Sequence, residues 1–441
     1  MTIVNVALPD IQAGLGFSDA ALAWVVNGYL ISFGGLLLLA GRLGDLYGRR
    51  RVFLTGLAVF TTSSLVCGLA NGPEVLVAAR FLQGAGGSLS SSVILGMIVT
   101  MFPTPKEQAK AIGVYAFVAS AGGAVGLLAG GVLTQALNWH WIFYVNIPLG
   151  IATAVAARRL IPADTPITRG AGTDVAGAIT VTSALMVGVY TIVKPAAEDG
   201  WTAPTTIILG AVAVALAVTF VVRELTATNP LMPMRIFRSR TVTGANLAQI
   251  LSVVGMFGSF FLGALYLKKV LQYDALQIGL AFLPVTLIMG ALSVRYTEPL
   301  NTRFGPRRVV VAGLAVMAVG LGYFATVPVH GAYAAHVLPV MVLLGAGAGL
   351  AFPSLMGLAM SAATPADAGL ASGLVSTSAQ VGGALGLAVL ATVSASRTAS
   401  LAGAGQSVGA ALVGGFHIAF WVGAVLMALA IPVTMLVRDG D

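Results

Sequence analysis

The stretch Gly41-Arg42-Leu43-Gly44-Asp45-Leu46-Tyr47-Gly48-Arg49-Arg50-Arg51 lies between two apolar spans. A worn copy of its end returns 257 positions later, where Gly305, Arg307, Arg308 and Val309 repeat Gly48, Arg50, Arg51 and Val52. Behind it, Gly56-Leu57-Ala58-Val59 recurs as Gly313-Leu314-Ala315-Val316. A basic, glycine-rich turn between two membrane helices, present twice, points to a chain made of two related helical bundles.

Composition agrees. Of 441 residues, 58% are hydrophobic and 9% charged, where an ordinary soluble domain carries about 25% charge. So few charges cannot cover a water-facing surface, and apolar runs of ~20 residues recur along the chain. The solvent for most of it is therefore lipid. The 55 glycines read as small residues that let helices pack closely there. The net charge of +8 sits in short loops with few aromatics, which suits a topological role and argues against nucleic acid as a partner. Cys67 is the only cysteine, so an internal disulfide and a cysteine-based metal site are excluded. Four histidines, His140, His330, His336 and His417, make a poor metal set. No metal or cofactor is expected. The glycines lack the Gly-Lys-Ser/Thr ending of a phosphate loop, and no nucleophile–base cluster suggests an enzyme.

Full spans are predicted near 20–41, 51–70, 74–101, 108–134, 141–160, 174–193, 204–223, 242–267, 276–297, 307–327, 333–360, 368–394 and 412–437. A first helix, Thr2 to Ala13, is partial: its residues rise ~18 Å against a hydrocarbon core of ~30 Å. Sorting the loops alternately puts eighteen of the 23 basic residues on one side, among them Arg42, Arg49, Arg50, Arg51, Arg307 and Arg308. Lys194, Lys268, Lys269 and Arg397 fall on the other, and Arg80 lies inside a span. By the positive-inside rule the first side is cytoplasmic. Both termini then face the cytoplasm, the helix count is even, and the partial first helix counts as a crossing. Lys268 and Lys269 read as an outer loop without a role.

The repeat extends further. Ala121-Gly122-Gly123-Ala124-Val125-Gly126-Leu127 is echoed by Val381-Gly382-Gly383-Ala384-Leu385-Gly386-Leu387, and Gly84-Ala85-Gly86 more loosely by Gly345-Ala346-Gly347. Six such helices need about 190 residues, so an offset near 260 leaves room for two more. The expected architecture is an all-α integral membrane protein with a six-helix bundle over 1–160, two inserted helices over 161–240 and a second six-helix bundle over 241–441. Parallel repeats of this kind enclose a midplane site and alternate its access by rocking.

In order along the chain, several segments resemble the major facilitator superfamily and its fourteen-helix drug:proton antiporter branch. Gly41 to Arg51 resembles the loop 2–3 motif, Arg80-Phe81-Leu82-Gln83-Gly84-Ala85-Gly86-Gly87-Ser88-Leu89 the helix 4 motif, and the glycines from Gly122 to Gly131 the antiporter motif of helix 5. Thr2 to Pro9, Trp141 to Gly150 and Pro230 to Arg240 resemble further segments of that branch. The resemblance implies proton-coupled efflux of small hydrophobic or cationic compounds, antibiotics among them, across the cytoplasmic membrane by a monomer. Two departures stand out. The antiporter motif has Gly-Pro where this chain has Gly126-Leu127. The family also carries an aspartate two residues before the threonine matching Thr2, and the chain begins at Met1. No predicted span holds an acid near its middle, although burial of a carboxyl favours the protonated form that a proton carrier needs. Either the chain is not proton-coupled or its acid lies upstream; the expectation is that Met1 is an internal methionine, with the coupling acid upstream.

The candidate residues fall into four groups. Gly41, Arg42, Asp45, Gly48, Arg49 and Arg50 suit a cytoplasmic charge latch that makes and breaks between states; the bland reading is a solvated turn whose arginines fix orientation. Arg80, Gln83 and Gly84 suit an intramembrane polar network, since an intramembrane cation costs several kcal/mol without a partner; snorkelling to the outer headgroups is the alternative. Gly122, Gly126, Gly130 and Gly131 suit gating by helix 5, or static close packing. Asn5, Asn27, Tyr29, Asn246, Gln249 and Phe257 are substrate-cavity candidates, with interhelical hydrogen bonding as the alternative. Rival functions are a dedicated exporter of one self-made metabolite, an importer, and a transport-inactive membrane sensor or subunit.

Overall fold

A computed structural model describes residues 2–18, 21–102, 118, 122, 123, 125–162, 174–193, 200–228, 230, 231, 234–361 and 368–436. Among the described residues, fourteen helices build two bundles and an inserted pair, and the short helix Thr297–Phe304 leads into the second bundle's third helix. The first bundle has α1 (Thr2–Leu15), α2 (Ala23–Tyr47), α3 (Arg49–Gly68), α4 (Pro73–Met101), α5 (Val125–Ala136) and α6 (Trp141–Leu160, broken at Val145). The inserted pair is α7 (Val175–Val193) and α8 (Pro204–Thr226). The second bundle has α9 (Arg240–Lys269), α10 (Ala275–Arg295), α11 (Pro306–Phe324), α12 (Leu338–Ser361), α13 (Ala368–Gly403) and α14 (Val408–Leu436). Among the described residues, ten helices are long and apolar enough to cross a membrane, and α1, α2 and α5 contain shorter apolar stretches.

Local chemistry sets the helix starts. Pro73, Pro204 and Pro306 occupy first-turn positions, where a missing N–H costs no helix bond. Asp274 opens α10 in a capping box: its carboxylate accepts from Gln277 N at 2.8 Å, and the Gln277 side chain accepts from Asp274 N at 3.0 Å. Such reciprocal bonds satisfy two donors that a helix start leaves bare.

The stretch Gly41–Tyr47 is helical, so the expected turn shrinks to Gly48. Gly48 has φ 91° and ψ 132°, and its repeat partner Gly305 has φ 81° and ψ 145°. Side chains clash in that region, which leaves it to glycine. The two copies therefore share a backbone conformation as well as residues. They also share helix crossings. A Cβ on Gly56 would lie 2.7 Å from the Gly86 carbonyl, and one on Gly313 would lie 2.7 Å from the Gly347 carbonyl. These glycines press α3 onto α4 and α11 onto α12. Likewise Gly84 meets the Tyr29 backbone of α2, while Gly345 meets that of Val285 on α10. In each bundle a first-turn arginine then reaches the end of the sixth helix. Arg50 Nη2 donates to the Arg158 carbonyl at 2.7 Å, and Arg307 donates to the Met435 carbonyl.

The bundles meet where α2 packs on α13, where α5 packs on α10, and where α1 packs on α9 and α10. A Cβ on Gly34 would sit 2.6 Å from Gln380 Cβ of α13. The inserted helices differ from each other. Helix α7 lies against both α2 and α13. Gly35 admits Thr182 of α7, whose Oγ1 would lie 2.6 Å from an added Cβ, and Thr392 of α13 donates to the Ile192 carbonyl at 3.2 Å. Helix α8 packs on α7 and turns Ile207, Ile208, Val214 and Val218 outward. The pair is tied together at the arginine-rich side, where Arg223 Nε donates to Asp174 Oδ1 at 2.6 Å.

Candidate functional site

Arg80 lies seven residues into α4 and is 3% exposed. Its position is made by Gly84, one turn on, which lets α4 close against Tyr29 and Ser32 of α2. Arg80 Nε donates to the Val25 carbonyl of α2 at 2.7 Å, and Nη1 donates to Gln83 Oε1. Gln83 Nε2 passes the chain on to Ser64 Oγ of α3 at 2.7 Å, and Ser64 in turn donates to the Phe60 carbonyl at 2.7 Å. The guanidinium carbon stands 4.6 Å from the Tyr29 ring centroid. Three helices are thereby joined by one directed network. Arg80 and Gln83 are both buried, with the guanidinium turned to protein partners.

The second bundle supplies an internal control. Carrying the glycine crossings across the repeat places Met341 opposite Arg80, Leu344 opposite Gln83 and Leu321 opposite Ser64. All three counterparts are 1% exposed. The same helix crossing thus packs with apolar side chains alone. A buried polar network that packing does not require is a stronger functional candidate than one with no such comparison. Sequence reasoning found Arg80, Gln83 and Gly84 but missed Ser64; its depth opposite Gln83 across the Gly56–Gly86 crossing was the available signal.

The latch residues are positioned less completely. Gly41 and Arg42 to Asp45 belong to α2, and Gly48 is the bend between α2 and α3. Gly44 lies against Val93 of α4, while Gly41 has open space. Arg50 caps α6, and Arg49 begins α3. The side chains of Arg42 and Asp45 lie outside the described residues. On helix 5, Gly130 meets the Ile3 carbonyl of α1 at 2.7 Å and Gly131 the Ala275 carbonyl of α10 at 2.8 Å, measured from an added Cβ. Gly126 is half-buried and Gly122 exposed. Gly131 thus sits where the bundles meet, whereas Gly130 packs within the first bundle.

The cavity candidates do not form one cluster. Tyr29 belongs with Arg80 and stacks on Phe33, ring centroids 5.5 Å apart. Asn246, Gln249 and Phe257 follow one another along α9. Asn246 accepts from Ser378 of α13 at 2.8 Å, and Phe257 packs on Gly383 of α13. Asn5 is buried in α1, and Asn27 is wholly buried in α2. Among the described residues, both amide atoms of Asn27 lack a hydrogen-bond partner, as do Gln249 Oε1, Thr377 Oγ1, Gln380 Oε1 and Thr182 Oγ1. Buried polar atoms are normally paired, and these lie on α2, α7, α9 and α13. His140 is a structural residue: its Nδ1 lies 2.8 Å from the Gly68 carbonyl, which also accepts from Tyr144.

The side opposite the arginine-rich loops carries cross-bundle pairs that sequence reasoning did not supply. Lys268 ends α9 and its Nζ lies 3.2 Å from Asp10 Oδ1 of α1. Gln135 of α5 donates to Asp274 of α10 at 3.4 Å. Lys268 is thus part of a bundle-to-bundle contact rather than an idle loop cation.

The chain is similar to known proteins over most of its length. The family model described as Major Facilitator Superfamily matches residues 1–387. The puromycin resistance protein of Streptomyces alboniger is 38% identical over 434 residues, covering 97% of this chain and 86% of that one. The cephamycin export protein of Amycolatopsis lactamdurans is 39% identical over 401 residues, covering 90% and 82%. Among solved structures, the POT family transporter PepTSo matches with TM-score 0.70 at 16% identity, over 99% of this chain and 95% of that one. The nucleoside transporter NupG matches with TM-score 0.65 at 13% identity, over 99% and 95%. These two share the fold. With its paired bundles and its relatives among antibiotic resistance and export proteins, this multi-pass membrane chain belongs to the major facilitator superfamily.

Proposed function

We propose that the chain exports small hydrophobic or cationic compounds, antibiotics among them, across the cytoplasmic membrane in exchange for protons, acting as a monomer by alternating access. The observation that carries this reading is the Arg80–Gln83–Ser64 network, present in one bundle and replaced by Met341, Leu344 and Leu321 in the other. A transporter needs polar groups within the membrane that can exchange partners, and a merely stable bundle does not.

The arginine-rich side is the cytoplasmic one in this reading. The contacts Asp10–Lys268 and Gln135–Asp274 then close the outer side. Gly41, Arg42, Asp45, Gly48, Arg49 and Arg50 form the opposing latch, and Gly122, Gly126, Gly130 and Gly131 let α5 move against α1 and α10. Substrate meets Asn27, Asn246, Gln249 and Phe257, with Asn5 and Tyr29 at the first-bundle wall. The test is dye or antibiotic efflux from cells or vesicles bearing the chain. Collapse of efflux on adding a protonophore is expected; efflux that survives and follows a sodium gradient refutes the coupling.

A second reading is a dedicated exporter of one metabolite, favoured by relatives named for single compounds such as puromycin and cephamycin. A substrate panel separates the two: a dedicated exporter moves one member, and a broad one moves several unrelated cations.

A further inference from the structure

The groove between α11 and α14 at the arginine-rich side is lined by Phe304, Arg307, Arg308, Val311, Ala312, Ala315 and Met435, and encloses about 720 Å³. Its polar end and its apolar end are set by helix geometry. Arg308, Val311, Ala312 and Ala315 fall on one face of α11, at three- and four-residue spacing. Ala315 lies about 10 Å along the axis from Arg308. A cationic rim therefore passes directly into an apolar trough that descends into the membrane.

The two arginines differ. Arg307 is committed to the Met435 carbonyl at the end of α14. Arg308 is exposed and makes no hydrogen bond or ion pair among the described residues. It stands in the first turn of α11, where the helix dipole adds positive potential. Phe304 is 44% exposed at the same rim. Among the described residues, no carboxylate lines the groove. We propose that this groove holds an anionic phospholipid, with its phosphate at Arg308 and the α11 start and its acyl chain along Val311, Ala312, Ala315 and Met435. Charge complementarity selects an anionic headgroup, and the apolar trough selects a lipid over a free phosphate. The proposal rests on the membrane placement of the chain and not on what it carries.

The first bundle provides the control. Arg51 is the repeat counterpart of Arg308 and is likewise exposed. The test is native mass spectrometry of the purified, delipidated full chain in detergent, with phosphatidylglycerol, phosphatidylcholine or glycerol 3-phosphate added. One phosphatidylglycerol is expected to stay bound in preference to phosphatidylcholine. Arg308→Ala should weaken its retention about fivefold, the weight of one arginine at an anionic surface. Ala312→Leu with Ala315→Leu should expel the lipid by filling the trough, while Arg51→Ala leaves retention unchanged. Equal retention of both lipids, glycerol 3-phosphate binding as well as phosphatidylglycerol, or an equal loss in Arg51→Ala would each overturn the assignment.

Discussion

Replacing Arg80, Gln83 and Ser64 together by methionine, leucine and leucine copies the second bundle's solution into the first. The magnitudes argue that such a variant folds. Two interhelical hydrogen bonds, Arg80 to Val25 and Gln83 to Ser64, are worth about 0.6 kcal/mol each in a membrane. The Arg80–Tyr29 contact adds about 2 kcal/mol when desolvated. Together they contribute roughly 3 kcal/mol. Holding a cation at such a site costs about 2.5–3.5 kcal/mol. The network is therefore close to neutral for stability, and an apolar replacement already proven at Met341, Leu344 and Leu321 should melt within about 1 kcal/mol of the parent. Arg80→Met alone is different: it strips Gln83 Oε1 of its donor at a cost of about 1–3 kcal/mol. The expected order of thermal stability in detergent is parent and triple variant together, with Arg80→Met below them. Proton-driven efflux is expected to vanish in both variants. A triple variant that transports at the parental rate refutes the functional reading of the network. One that fails to fold while Arg80→Met folds shows instead that the polar residues are structural.

Three further outcomes follow from the geometry. Asp10 and Lys268 are each about a third exposed, so Asp10→Asn should cost at most about 1 kcal/mol of stability; cross-linking cysteines at 10 and 268 with a short thiol reagent should stop transport if the outer side must open, and unimpeded transport by the linked protein would exclude that motion. Gly48→Ala and Gly305→Ala each force a side chain into a glycine-only backbone region, so both should lose about 1–3 kcal/mol in melting experiments. Gly35→Leu should drive Thr182 away from α2 and detach α7 from one bundle, seen as loss of cross-linking between cysteines placed at 36 and 183, whereas Gly210→Leu on α8, where an added Cβ meets nothing within 4 Å, should leave that cross-link intact.

The amino-acid sequence was sufficient for the bilayer and the doubled bundle. Apolar runs, arginine bias and glycine spacing are local or periodic properties, and they survive in Gly48 and Gly305, Gly56 and Gly313, Gly84 and Gly345. It also singled out Arg80, because a cation within an apolar run is conspicuous without any partner being known. Its reading of Gly41 to Tyr47 as a turn failed because glycine is tolerated inside a close-packed membrane helix, and only Gly48 needed its left-handed freedom. What the tertiary structure alone decided is who meets whom. Ser64 as the end of the Arg80 network, Lys268 against Asp10 and α7 against both bundles are contacts between residues distant in the chain. They depend on how helices rotate and slide as they pack, and interhelical side-chain register is not written in any one helix's periodicity.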